Sequence, residues 1–161
     1  MATKPRMVLH HVGYAVRNIE PIVDEYVARF AYELVTGIIH DPTQTALVQF
    51  VQLPGDPSYL EFVAPDGLES KLTQAVSRRR PLNHLCYATT GLESTVEHLE
   101  EQGMKLISAL SPGVAFAGRR ICWLLGEDNV PIELVERRAD DDLCIPGTEA
   151  THFTCTPAIL D

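Results

Sequence analysis

Four residues of this 161-residue chain are of types that hold divalent cations, and they recur at matched places. His11 lies in HHVGYAV and Glu61 in YLEFVAP, while His84 lies in NHLCYAT and Glu133 in PIELVER. His84 follows His11 by 73 residues and Glu133 follows Glu61 by 72, so one net deletion separates two copies of a module. Neutral imidazole nitrogen and carboxylate oxygen suit borderline ions such as Zn, Co, Ni, Mn or Fe, whereas Ca prefers an all-oxygen shell. A duplicated module with its polar residues at equivalent points predicts one shared metal site on a pseudo-twofold axis. Four protein ligands on an octahedral ion leave two positions for substrate oxygens.

Each carboxylate also interrupts a run that is otherwise apolar: Glu61 stands between Leu60 and Phe62, and Glu133 between Ile132 and Leu134. A buried carboxylate is expensive unless it meets water, a cation or a metal. A single such Glu, or a lone His on a strand, is an ordinary feature of half-solvated sheets. The pairing of both types in both copies is what points to a site.

The elements that must position these residues follow from periodicity. Residues 8–16 alternate as a strand, with Val8, His10, Val12, Tyr14 and Val16 on one face and His11 among the small residues Gly13 and Ala15 on the other. Asn18 is a candidate cap, Pro21 fits a first turn, and Ile19, Ile22, Val23, Tyr26, Val27 and Phe30 keep helical spacing. Strands are expected over 32–40, 45–53 and 59–64, separated by Asp41-Pro42 and Pro54-Gly55-Asp56-Pro57. A short helix through Leu72 and Val76, ending in Arg78-Arg79-Arg80-Pro81, reads as a connector. The pattern then restarts: a strand over 82–89 with His84, Cys86 and Ala88 on one face, a helix through Leu92, Val96 and Leu99 that stops at Gly103, and strands near 105–110, 116–125 and 130–136. The predicted organisation is a first βαβββ module over 8–65, a connector helix over 66–81, a second βαβββ module over 82–137 and a C-terminal tail over 138–161. The fold class is α+β, with curved mixed sheets around a metal-binding cup.

A net charge of −9 opposes non-specific binding to nucleic acid or to anionic membrane. Residues 1–16 carry no secretory leader pattern and no later stretch approaches a spanning length, so a cytoplasmic location is expected. Cys86, Cys122, Cys144 and Cys155 form no C-x-x-C pair and are expected to be reduced packing residues.

HHVGYAV, YLEFVAP, LNHLCYA and PIELVER together resemble the vicinal oxygen chelate superfamily, which includes glyoxalases, bleomycin resistance proteins and dioxygenases. Within it, the likeness is to methylmalonyl-CoA epimerases, whose G-G-x-R-I-x-F is similar to residues 117–123 here and whose V-L-I-E-L resembles residues 130–134. The resemblance covers about residues 8–137 and implies that His11, Glu61, His84 and Glu133 are the metal ligands. It also implies proton transfer alpha to a carbonyl, with Glu133 or Glu61 as base and a thioester such as methylmalonyl-CoA as substrate. One departure stands out: epimerases carry Pro-Glu-Gln before the third strand, with that Glu proposed as a second base, where this chain has Pro42-Thr43-Gln44. Threonine cannot replace a carboxylate in that role.

Arginine pairs well with phosphate and carboxylate, so Arg119 and Arg120 are candidate substrate-binding residues, with Gln44 as a candidate lining residue. The Arg78–Arg80 run and Gln49 fit either a binding surface or plain exterior positions. Competing functions are a glyoxalase-type lyase, a natural-product tailoring isomerase or lyase, a metal-free drug-binding resistance protein and, less well matched in ligands, an extradiol oxygenase. The expected partners are a small carbonyl compound and a second copy of the chain in a homodimer, with no nucleic acid and no membrane.

Overall fold

The computed structural model describes residues 4–138. The expected tail over 138–161 lies outside these residues except for Arg138. The described chain folds as two compact units, one formed by 11–83 and the other combining the residues up to His10 with those from His84 onward.

In the 11–83 unit, β1 (Met7–Ala15) enters at His11 and is followed by α1 (Ile19–Phe30), β2 (Glu33–Leu34), β3 (Ile39–Asp41), β4 (Ala46–Gln52), β5 (Tyr59–Pro65) and the short α2 (Thr73–Ser77). β5 runs parallel to β1 and antiparallel to β4, which in turn pairs with both β2 and β3. The expected strand over 32–40 is thus two short strands with a break around Gly37, a residue whose backbone carries no side chain to pack. α1 starts after Asn18, whose backbone is extended as at a cap but whose side chain makes no capping hydrogen bond, and it ends at Ala31 in the left-handed region (φ 59°). The apolar stripe of α1 buries Ile19 and Val23 against Val51, Phe62 and Ala64, with Ile22, Tyr26, Leu47 and Leu60 around them.

The other unit repeats the scheme: β6 (Leu82–Thr89), α3 (Leu92–Glu101), β7 (Lys105–Leu106), β8 (Ser111–Pro112), a 3-10 turn (Val114–Phe116), β9 (Arg120–Leu125) and β10 (Pro131–Glu136). β10 is parallel to β6 and antiparallel to β9, and β7 and β8 both pair with β9. As expected, α3 stops just before Gly103, which takes φ +91°, a backbone conformation favoured only by glycine. The expected strand over 116–125 begins later, at Arg120, because Ala117 (φ 48°) and Gly118 (φ 82°) both turn left-handed and break the extended run. Leu92 and Val96 of α3 pack on Cys122, Leu124 and Leu134, with Met7, Tyr87 and Leu99 at the margin. Among the described residues, ten strands and three α-helices give the mixed-sheet α+β class read from the sequence. Among the described residues, no helix is long and apolar enough to cross a membrane.

Candidate functional site

Strand alternation sorts the side chains of each unit into a face under the helix and an opposite face. In the 11–83 unit, Phe62 and Ala64 of β5 and Val51 of β4 lie beneath α1, so Glu61 and Phe50, one residue out of phase, take the other side. Glu61 is the register partner of Gly13 on β1 and of Phe50 on β4. Glycine leaves room for the carboxylate on one flank, and the aromatic ring walls the other. His11, on the same face as Gly13, brings its Nε2 to 3.3 Å from Oε2 of Glu61. The His11 ring is fully buried and meets Phe50 edge-on at a centroid distance of 5.3 Å.

The second unit builds the same constellation. Leu134 of β10 and Leu124 and Cys122 of β9 lie under α3, so Glu133 and Trp123 face away from it. Glu133 is the register partner of Cys86 on β6 and of Trp123 on β9. His84 Nε2 stands 3.6 Å from Glu133 Oε2, and its ring meets Trp123 edge-on at 4.9 Å. Glu61 and Glu133 are 5% and 4% exposed, which removes bulk water as the solvent for either carboxylate.

Each imidazole–carboxylate pair fits a shared cation. Two donors, each about 2.0–2.2 Å from one ion, stand roughly 3.0–3.4 Å apart at common coordination angles, and both pairs fall at or near that spacing. The donor set is nitrogen and oxygen, without thiolate, as borderline ions prefer.

The other residues singled out in the sequence take different places. Arg120 alternates onto the face of Cys122 and Leu124, beneath α3, where its guanidinium pairs with Glu93 of α3 and, at 2.5 Å, with Glu136 of β10. These contacts hold the Glu93 and Glu136 carboxyls below the usual carboxylate range and push the arginine up. Arg120 is thus engaged on the side opposite Glu133. Arg119 is half-buried in the turn before β9, where its carbonyl accepts the amide of Gly113 at 2.8 Å. Gln44 lies in the tight turn between β3 and β4, its amide and that of Thr43 bonded to Oδ1 of Asp41 at 3.1 and 3.0 Å. Gln49 donates its side-chain amide to the Thr36 carbonyl, and Arg78, Arg79 and Arg80 are exposed.

Three residues escaped the sequence reading. Phe50 and Trp123 flank the two carboxylates, and their own 73-residue offset was the available signal. His10, read only as part of the bulky face of β1, is 2% exposed, edge-on to Phe116 at 5.6 Å and within 4.8 Å of Cys86, donor atom to donor atom. Nothing in its spacing distinguished it from a packing residue. Burial pushes the Cys122 thiol up to about 12, with Glu133 adding to the effect, so this cysteine remains a neutral packing group.

Comparison with known proteins agrees with this architecture. No curated protein matches the sequence. Among solved structures, a hypothetical protein, BH1468, from Bacillus halodurans C-125 is similar with a TM-score of 0.72 at 23% identity, over 83% of this chain and 96% of that one. Methylmalonyl-CoA epimerase from Mycobacterium tuberculosis gives 0.71 at 24% identity, over 80% and 86%. The Streptomyces coelicolor methylmalonyl-CoA epimerase in complex with 2-nitronate-propionyl-CoA gives 0.69 at 21%, over 81% and 97%. At these identities the likeness establishes the fold. The family model for the glyoxalase/bleomycin resistance protein/dioxygenase superfamily matches residues 10–123, most of the described chain, and with the repeated βαβββ pattern it makes this protein a member of that vicinal oxygen chelate superfamily.

Proposed function

We propose that this chain is a divalent-metal-dependent isomerase that moves a proton alpha to a carbonyl, with an acyl thioester of the methylmalonyl-CoA kind as substrate. In this reading His11, Glu61, His84 and Glu133 converge on one ion of the Zn, Co, Ni, Mn or Fe group. The observation that carries it is the recurrence of a buried His–Glu pair, 3.3 Å apart in one unit and 3.6 Å in the other, at equivalent strand positions. Two unrelated packing histidines would not each be given a buried carboxylate, a small neighbour and an aromatic wall.

A bound ion of this kind supplies Lewis-acid stabilisation for the negative charge that develops on the carbonyl oxygen as the alpha proton leaves. The protein's own groups do the rest. Glu133 or Glu61 would accept the alpha proton on a carboxylate oxygen, and inversion at that carbon would follow when the other carboxyl delivers a proton to the opposite face. Phe50 and Trp123 exclude water around the two carboxylates. The epimerase likeness of the fold supports the thioester, and a homodimer belongs to the same reading, tested by light scattering.

Thr43 favours a second reading. With no carboxylate at that position, a reaction in which one base both removes and returns the proton suits the chain better than a two-base inversion, and a glyoxalase-type isomerisation of a hemithioacetal is of that kind.

The test is metal analysis followed by solvent exchange. The purified protein, loaded with Zn or Co, is expected to hold one ion per chain and to incorporate deuterium at the alpha carbon of methylmalonyl-CoA in heavy water. Full metal loading without exchange removes the thioester and leaves formation of thioester from methylglyoxal and glutathione as the next assay. A protein that takes up no ion after incubation with each of these metals removes the enzyme reading.

A further inference from the structure

Around the two carboxylates the halves place a small residue, Gly13 or Cys86, on one flank and an aromatic one, Phe50 or Trp123, on the other. The amides of Phe50 and Trp123 are held by equivalent hydroxyls, Phe50 by Thr36 Oγ1 at 3.1 Å and Trp123 by Ser108 Oγ at 2.9 Å. Their carbonyls accept equivalent amides, from Val35 at 3.0 Å and from Ile107 at 2.8 Å. The strands therefore present the two rings in the same way. Phe50 is fully buried and offers only carbon. Trp123 is half-buried, and its indole Nε1–H is shielded from solvent with no acceptor among the described residues. Buried donors in folded proteins are overwhelmingly paired, and one left open beside a candidate active site marks a place where a ligand acceptor belongs.

We propose that Trp123 is a specificity-determining residue that donates its indole N–H to an oxygen of the bound carbonyl compound, selecting substrates that carry a carboxylate or second carbonyl besides the reacting one. Its ring lies against His84 and its strand position is opposite Glu133, so the donor belongs to the same face as two of the candidate ligands. A neutral donor suits this role because it recognises a substrate oxygen without adding a positive charge that would compete with the metal for Glu133. The inference rests on the proposed use of that face as a substrate site.

Trp123 is the chain's only tryptophan, so its indole gives a single, self-assigned N–H resonance and sole control of tryptophan emission. The experiment titrates the zinc-loaded protein with methylmalonate and, in parallel, with propionate, following that resonance. Methylmalonate is expected to move it downfield in a saturable way, with propionate weaker. Trp123→Phe, which copies the other half of the molecule, is expected to bind methylmalonate about tenfold more weakly by calorimetry, as loss of one hydrogen bond to a charged oxygen predicts, with zinc content unchanged. A resonance that stays still, or a variant that binds as tightly as the parent, overturns the proposal. Zinc content is measured separately, so a protein that binds no zinc yet shifts its indole signal refutes the metal reading and keeps this one.

Discussion

Aligned at an offset of 72 or 73 residues, the two halves of the chain agree in residue type on one face of their strands and only in part on the other. On the face of the candidate ligands, His11, Glu61, Gly13 and Phe50 answer to His84, Glu133, Cys86 and Trp123. Under the helices Ile19, Val23, Val51 and Phe62 answer to the equally apolar Leu92, Val96, Leu124 and Leu134, but at four other positions the first half is apolar where the second is polar. Val16 and Ile22 correspond to Thr89 and Thr95, which are buried and hydrogen-bonded to each other at 2.7 Å. Leu47 and Ala64 correspond to Arg120 and Glu136, which with Glu93 form an ionic clamp. The helix-facing side needs only to hold an amphipathic helix in place, which apolar packing and a satisfied polar network both achieve. Two chemistries suffice there, whereas the other side kept one.

The comparison breaks most visibly at the ligands. His11→Ala and His84→Ala are each expected to lower metal affinity by at least about 100-fold, in line with the sensitivity of metal sites to loss of even supporting groups, and to do so equally, by metal analysis after dialysis. Unequal losses, with one variant retaining full metal, mean that the halves do not share an ion.

Next come the two cores. Phe62→Ala under α1 is expected to cost about 3–5 kcal/mol, and Leu134→Ala under α3 about 2–5 kcal/mol, both as buried truncations that leave a cavity, read by urea denaturation. The aromatic walls sharpen the contrast in a different way. Phe50→Trp adds volume at a fully buried position and is expected to cost about 1–3 kcal/mol. The reverse change at Trp123 lowers ligand affinity with little effect on the fold.

The smallest effects are those of ionisation. Glu93 and Glu136 have carboxyls lowered chiefly by hydrogen bonds from Arg120, so the clamp stabilises the fold above the unfolded carboxylate range of about 4.3 and loses that contribution as pH falls through the lowered folded values. Arg120→Gln is expected to be slightly less stable than the parent at pH 7 and to converge with it in acid. Leu47→Gln, at the equivalent position in the first half, should show no such convergence. Cys122 runs the other way: with its thiol raised to about 12 by burial, stability falls as pH climbs from the unfolded thiol value of about 8.5 toward the folded one. Below that range iodoacetamide should leave Cys122 unmodified in the native protein, by mass spectrometry.

The repeat made His11, Glu61, His84 and Glu133 legible, because each carboxylate broke an apolar run twice over. The helices were legible from their stripes and from Gly103. The broken strands were not: breaks around Gly37 and at Ala117 and Gly118 interrupt segments whose composition reads as continuous, and at Ala117 and Gly118 the backbone turns left-handed. Arg120 was legible as a cation but not in its direction, since the composition of the strand did not say whether the face of Cys122 and Leu124 or that of Trp123 lies under α3. Trp123 was passed over because aromatic side chains on strands are common, and only the lack of an acceptor for its N–H among the described residues sets it apart.

β1 serves both units. Met7 joins the margin of the Leu92–Leu134 cluster and His10 meets Phe116, while from His11 onward the same strand belongs to the 11–83 unit and Tyr14 packs on Phe62. A few residues translated early are therefore held in reserve for a core whose remaining parts emerge from the ribosome much later. Cutting the gene between codons 83 and 84 would orphan the downstream product, and a synthetic peptide spanning 4–15 is the piece that should restore it.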